Sequence, residues 1–481
     1  MERMIFGRCC VIIEKTISPV AVFVQKLFPK INGGLPMFKP TQKKPQKLFP
    51  SGTLGQKAAV YFTLTLILTV IFCGALYIAG LSNATIQHRI NNHVLHSVEQ
   101  FKLEGIYPQI ISAQDVSYRL DNFTDTTILQ ESMLMNTVKD PSTILTNPRL
   151  SKTYEDAACH DRILSLEEAA KTNSSNGYYT YYWIGLRAII RPLLILFPYQ
   201  SIRGIIAAIF ICLFLAAALF VYRSLGAAFC SAFSISVICM NIPVVVSEIQ
   251  YAPCFWLAFL SICALTRIWK NTGAAVMLFF ITGACTQYLD FYTFPLMTLG
   301  FPLIVLIGLM KPENPRTKLL LAGKCVAAWF AAYGLFWVIR LVLVEAFTEC
   351  GGFQNAISRF LTWTGLTPNE RYSQFTPYYS MQKCFKTLFQ PHNIFILFVP
   401  GCIAFVKIIR SVLQHTLEKP SWCYMLVACM PLIWIAVASR ATGNHFWFQY
   451  RLLSVFLFSI LAFIADLFPR SNSAPVQDPL S

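Results

Sequence analysis

The alternation of apolar and polar stretches along the chain is uneven. One long apolar run, about Gln56 to Gly80, is followed by a mixed, largely polar stretch over residues 81–201. From Ser201 onward the chain is almost entirely apolar runs joined by short polar connections. About 20 apolar residues in helical form cross a bilayer, and only helices or closed barrels satisfy backbone groups inside lipid. Spans are therefore predicted near 57–80, 202–222, 225–243, 251–268, 273–289, 294–310, 319–344, 393–411, 422–439 and 449–468. This is the pattern of an all-α polytopic membrane protein with about ten transmembrane helices and a large, mostly helical first loop.

Local periodicity gives that loop structure. Ile86, Ile90, Val94, Val98 and Phe101 recur at helical spacing, which predicts a helix over Ile86–Leu103 broken by Glu104-Gly105-Ile106-Tyr107-Pro108. A second helix is predicted from Asp125 to Val138, with Thr124 as its cap. The aromatic run Tyr178-Tyr179-Thr180-Tyr181-Tyr182-Trp183 leads into Leu186–Phe197, which holds Arg187 and Arg191. Tyr178–Tyr199 reads as one helix lying on or dipping into the interface, where aromatic residues are favoured.

Composition agrees with a lipid-embedded chain. Only 13% of the 481 residues are charged and 55% are hydrophobic; soluble domains carry about 25% charged residues. The net charge of +16 raises nucleic acid as a partner. Its placement excludes that, because no basic stripe with stacking aromatics accompanies it. The basic residues gather before the first span (Lys43, Lys44, Lys47) and in alternate short loops (Arg223, Arg267, Lys311, Lys318, Lys407, Arg470). That is the positive-inside pattern, with membrane lipid as the contact. It predicts a multi-pass protein of the cell membrane with both termini cytoplasmic.

The organisation that follows has a basic cytoplasmic segment (1–56), the first span (57–80) and an extracytoplasmic loop domain (81–201). Spans two to seven (202–344), a second extracytoplasmic segment (345–392), spans eight to ten (393–468) and a cytoplasmic tail (469–481) complete it. Val11–Phe28 is too polar for a span and suits an interfacial helix; a start at Met37 is the alternative to Met1. Most of the sixteen cysteines lie in apolar runs as small hydrophobes. Cys159 and Cys350 fall in outer segments, where a disulfide is one option. Sequons at Asn83, Asn122 and Asn173 all lie in the first outer segment and are glycan acceptors only in a eukaryotic secretory protein. The chain has no Walker loop, zinc motif, nucleophile elbow or dinucleotide fingerprint, so it is not by itself an ATP-driven pump.

Charged residues at the outer ends of spans are expected to be either solvated or kept for function. Glu248 lies between spans three and four and Asp290 between spans five and six; Arg440 and His445 follow span nine, and Arg451 opens span ten. With Asp121 and Asp125 they are expected to surround one outward-facing cavity. Each has a plainer reading: Glu248 as a solvated turn residue, Asp290 as half of an ion pair, His445 as an interfacial histidine. Arg440 and Arg451 read either as a polyanion clamp or as headgroup anchors, and Asp121 to Asp125 as a helix cap.

At these residues the chain resembles the polytopic glycosyltransferases of the GT-C superfamily and, within that class, a group of bacterial integral membrane proteins. The resembling pieces are Glu104-Gly105…Tyr107-Pro108, Leu120-Asp121-Asn122-Phe123-Thr124-Asp125, Tyr181-Tyr182-Trp183…Arg191-Pro192-Leu193-Leu194, and Asp290-Phe291…Thr293…Pro295-Leu296…Leu299-Gly300. The resemblance implies transfer of a sugar from a polyprenyl-phosphate donor to an extracytoplasmic glycan acceptor, with an acid of the first outer loop as base. Asp121 or Asp125 takes that role. Arg187, Arg191, Arg440 and Arg451 are expected to meet the lipid phosphate, with His445 beside them. Asp290 or Glu248 is expected to hold a divalent cation or to orient the sugar. Phe291, Phe294 and Phe301 would line the prenyl tail. The chain departs from the family in one place: Leu81-Ser82-Asn83-Ala84-Thr85, just after the first span, lacks the usual acid. Two other readings remain open, a lipid-linked-sugar flippase and a non-catalytic envelope assembly protein. Against an ion-coupled carrier, the halves show no repeat, and Lys324 and Arg340 lie near the ends of span seven, where they are expected to snorkel.

Overall fold

In the computed structural model the described residues are 54–111, 115–133, 143–150 and 161–469. The basic leader, Cys159 and the end of the second loop helix lie outside them. Cys350 carries a free thiol.

The protein is an all-α polytopic membrane protein. Each expected span coincides with one helix: α1 (Leu54–Gly80), α6 (Tyr199–Leu225), α7 (Ala227–Ile238), α8 (Ala252–Ile268), α9 (Thr272–Leu289), α10 (Leu296–Leu309), α11 (Pro315–Phe347), α14 (Pro391–Leu413), α15 (Cys423–Val437) and α16 (Leu453–Asp466). Six described helices are long and apolar enough to cross a membrane, and α7, α8, α10 and α15 are shorter. Short helical turns continue the chain after α7 (Ile242–Val245) and after α15 (Ser439–Asn444), and Phe446–Gln449 leads into α16, so that this span runs Phe446–Asp466.

The loop domain contributes α2 (Ala84–Glu104), α3 (Asn122–Met133), α4 (Asp161–Thr172) and α5 (Arg187–Leu196). Asn83 caps α2 by accepting from the Ile86 amide at 2.9 Å, and Gly105 ends it at φ 84°, a conformation glycine adopts without penalty. The expected helix over Tyr178–Tyr199 is confined to Arg187–Leu196; the aromatic run before it is irregular. It is held there by main-chain pairing of Gly177 and Tyr178 (β2) with Pro148 and Arg149 (β1). The second extramembrane segment forms α12 (Gly352–Thr364) and α13 (Pro377–Leu388).

Lipid supplies no hydrophobic drive between spans, so close contact depends on small residues and buried polar bridges. At Gly283 of α9 an added Cβ would lie 2.4 Å from the Trp329 carbonyl of α11, and at Gly300 of α10 it would lie 2.3 Å from Val455 of α16. Thr286 and Thr298 share a 2.7 Å hydroxyl contact, and Trp329 Nε1 donates to Thr298 at 3.1 Å, tying α9, α10 and α11. Gly283→Ala must push two backbones apart. It is expected to cost about 1–3 kcal/mol, read as a lowered unfolding midpoint in detergent.

One span differs from the rest. The apolar stretch of α14 has no buried residue. Its first turn is anchored by hydrogen bonds: Asn393 Nδ2 donates to the carbonyls of Cys239 and Leu388 at 2.9 and 2.8 Å. His392 meets Asp115 at 3.2 Å and Asn241 at 3.0 Å.

Candidate functional site

Helix α3 is polar in sequence, NFTDTTILQESM, yet Asn122 and Asp125 to Met133 are all buried. Burial of that many polar side chains is costly unless each is partnered, and what partners them defines the site. Asp121 precedes the helix and caps it, accepting from the Thr124 amide at 3.2 Å and the Thr124 hydroxyl at 2.9 Å. The helix thus starts at Asn122, earlier than the predicted Thr124 cap, because Asp121 satisfies the first free amides.

Three acids meet at this end. The Asp121 amide donates to Glu248 Oε1 at 2.9 Å, and Gln250 Nε2 donates to Asp121 Oδ2 at 2.9 Å. Asp125 accepts from the Ile249 amide at 3.0 Å and from the Tyr199 hydroxyl in a very short hydrogen bond. Asp125 and Glu248 are fully buried, and Asp125 Oδ1 and Glu248 Oε2 have no hydrogen-bond partner. Burial pushes Asp125 up to about 6, against the opposing bonds from Tyr199 and Ile249. Burial also pushes Glu248 well above the usual carboxylate range; the Asp125 charge adds to this and Arg203 opposes it. Arg203 is the nearby cation, fixed by Glu104 at 3.0 and 3.1 Å and by Asn122 Oδ1 at 2.8 Å.

Partly exposed aromatic side chains lie nearby. His445, whose electrostatic neighbours include Asp121 and Arg359, packs against Trp363 and Trp447, with ring centroids 5.7 and 5.5 Å away. The Arg119 guanidinium lies over Tyr107 (4.1 Å) and Trp447 (4.6 Å). That of Arg359 lies over Tyr181 (5.2 Å) and donates to its hydroxyl at 2.6 Å.

The other expected residues are placed differently. Arg191 caps the far end of α3, donating to the carbonyls of Ser132 (2.7 Å) and Met133 (2.9 Å) and to Gln87 (3.0 Å). Arg440 donates to the carbonyls of Thr362 (3.3 Å), in the last turn of α12, and of Thr367 (2.5 Å), just past it. Arg451 is fully buried and serves the carbonyls of Met240, Phe448 and Ser117. Arg440 and Arg451 therefore form no clamp, since main-chain carbonyls take up their forks. Arg340 does not snorkel; it is buried and donates to the carbonyls of Tyr182 (3.1 Å) and Leu145. Arg187 is buried near the far end of α3, away from the acids. Asp290 closes α9 and accepts from the Thr293 amide and hydroxyl and from Cys254. Burial nonetheless pushes it up to about 6. Phe294 and Phe301 pack in the bundle core, so only Phe291 retains partial exposure. The sequon at Asn122 is buried, with its amide donating to Glu104 and Gly105, so the folded chain presents no acceptor there.

Among the described residues no group of three or more His, Cys, Asp and Glu side chains is placed to hold a metal ion. Asp290 spends its oxygens on Thr293 and Cys254, and Glu248 turns one of its own toward the Asp121 amide. The donor set does not fit the expected divalent cation.

Sequence reasoning missed Tyr199 and Arg203, hidden at the start of an apolar span, and Arg119 and Arg359, whose aromatic partners come from distant segments. Tyr199 and Arg203 are one helical turn apart, and that spacing was the available signal. Fold and site together define an all-α polytopic membrane protein carrying a buried carboxyl cluster under a partly exposed aromatic surface. The chain matches no family model, no curated protein and no solved structure.

Proposed function

We propose that the chain is a GT-C-like membrane glycosyltransferase, moving a sugar from a polyprenyl-phosphate donor to an acceptor hydroxyl on the extracytoplasmic side. The supporting observation is the meeting of Asp121, Asp125 and Glu248 at one buried end of α3. A general base works best with a pKa near the operating pH, and burial moves Asp125 toward it. Tyr199 and Ile249 hold one oxygen of Asp125, leaving Oδ1 to take the acceptor's proton. The acceptor oxygen then bonds to the anomeric carbon. The bond from that carbon to the phosphate oxygen breaks, and its electron pair leaves with the lipid phosphate. Arg119 and Arg359 are the cations whose aromatic seats face the partly exposed side, suited to the developing phosphate charge. The aromatic faces suit the apolar faces of sugar rings.

Complete burial of Asp125 and Glu248 favours one second reading, a non-catalytic envelope assembly protein that binds glycan at the aromatic surface. Purified full-length protein in lipid nanodiscs, given radiolabelled polyprenyl-phosphate sugar and an envelope glycan, separates the two. Released polyprenyl phosphate with label on the glycan is the expected result. Glycan binding without release overturns transfer in favour of assembly, and in proteoliposomes movement of intact donor across the bilayer points to a flippase.

A further inference from the structure

Beyond Arg359, the second extramembrane segment takes no part in the chemistry above, and its charge is one-sided. Residues 351–390 hold four cations (Arg359, Arg371, Lys383, Lys386) and one acid, Glu370. Among the described residues none of these cations forms an ion pair. Four rings of the segment follow one another at short intervals. Trp363, at the end of α12, lies 5.0 Å from Tyr372; Tyr372 lies 6.3 Å from Phe375, and Phe375 lies 5.6 Å from Tyr379 in the first turn of α13. All four keep part of their surface exposed. Arg371 lies over Tyr372 at 5.7 Å and Lys383 over Tyr379 at 5.3 Å. At one end the row reaches the candidate site: Trp363 packs on His445, an electrostatic neighbour of Asp121, and Arg359 lies over Trp363 at 5.8 Å.

Two plainer uses of such a row fit less well. Rings and cations at a membrane edge commonly seat in lipid headgroups. Here α12 offers a different face for that. Ile357 and Phe360 are half exposed, and Phe360 lies 6.5 Å from Trp337 of the α11 span, whereas Trp363 turns to His445. A single-stranded nucleic acid stacks its bases on rings but carries a charge on every nucleotide. Four cations with an acid among them are few for that. A sugar ring presents an apolar face to an aromatic ring, and an acidic sugar adds a carboxylate that suits arginine and lysine. Rings set one after another, with a cation held against two of them, match a chain of sugars charged at intervals.

We propose that Trp363, Tyr372, Phe375 and Tyr379, with Arg371 and Lys383, form a docking surface for an acidic glycan chain and lead it to the carboxyl cluster. The proposal rests on the glycan partner of the reading above and adds its charge and its path. It holds for transfer and for assembly alike.

The test is binding to the full chain in nanodiscs of neutral lipid at pH 7 and low salt. The probes are a galacturonic acid oligomer, the same oligomer with its carboxylates methyl-esterified, and a single-stranded oligonucleotide. The acidic oligomer is expected to bind at least about tenfold more tightly than its ester, the share of one charge-assisted hydrogen bond, and to weaken as salt rises. R371Q with K383Q is expected to remove that advantage and to leave the unfolding midpoint in place, since Arg371 is exposed. Y372A is expected to weaken both oligomers by about tenfold, as the loss of one stacking ring does. Equal binding of the two oligomers overturns the proposal and leaves the glycan reading standing. Tighter binding of the oligonucleotide overturns it, as does acidic binding that survives R371Q with K383Q or is untouched by Y372A. No binding of any probe also overturns it, and release of polyprenyl phosphate in the transfer assay then decides the function separately.

Discussion

Asp125→Asn lowers sugar transfer by about 10²–10⁴-fold, the usual share of a general base, and leaves the protein folded. The amide is isosteric, and its oxygen still accepts from Tyr199 and the Ile249 amide. Only the proton acceptor is lost. Alanine at Asp121 and Asp125 together abolishes transfer as well, but it also removes the cap of α3, which costs about 1 kcal/mol. The wild-type rate rises with pH through about 6, where Asp125 gives up its proton. Stability moves the other way. Asp125 and Glu131 are raised above their unfolded values, to about 6 and about 8, so the folded chain binds more protons than the unfolded chain in between. Their contribution is fully favourable below the unfolded carboxylate values near 4 and declines as pH rises through 6 and then 8. Initial rates and unfolding midpoints between about pH 5 and pH 8.5 should therefore slope in opposite directions. Asp125→Asn should flatten the lower part of the stability curve. An unchanged rate in that variant removes Asp125 from the reaction.

Arg451→Met has the largest expected effect on folding. Arg451 sends Nε to the Met240 carbonyl (3.0 Å), Nη1 to Phe448 (3.5 Å) and Nη2 to Ser117 (3.4 Å). These carbonyls belong to three separate stretches, so one guanidinium joins the first loop, the turn after α7 and the approach to α16. Hydrogen bonds to charged groups are worth about 1.5–3 kcal/mol each, and two of these are long, so a loss of about 3 kcal/mol is expected. Folded proteins hold only about 5–15 kcal/mol in reserve. The outcome is a sharply lowered unfolding midpoint and a reduced monodisperse fraction on size-exclusion chromatography. Arg451→Lys does not rescue it, because one ammonium cannot reach three divergent carbonyls. A wild-type midpoint in Arg451→Met would show that these bonds carry little weight.

The spans were legible because hydropathy is the physical property that places a helix in lipid, and it needs no tertiary knowledge. The helix at Ala84–Glu104 was legible for a similar reason, since its buried face is written as Ile90, Val94, Val98 and Phe101. Three of the acids singled out by position, Asp121, Asp125 and Glu248, do come together. The arginines were not legible in the same way. A sequence displays a guanidinium's charge but not which of its five donors are already engaged, and main-chain carbonyls absorb much of Arg191, Arg440 and Arg451. The charged surroundings of Glu131 were invisible because they join that residue of α3 to Arg149 of a two-residue strand and Arg340 of a span. Helix α3 is polar in composition, yet its side chains are buried: Thr126, Thr127 and Ser132 bond back to carbonyls of their own stretch, Asn122 and Gln130 reach distant segments, and one oxygen of Asp125 and both of Glu131 have no hydrogen-bond partner.

Beyond its first turn, most of α14 answers to the lipid around it, with Ile396 and Leu397 partly buried against the bundle core. Any residues oily enough would serve on the outward positions, so drift there should be nearly silent. His392 and Asn393 are another matter, because their bonds tell the chain where that rod belongs.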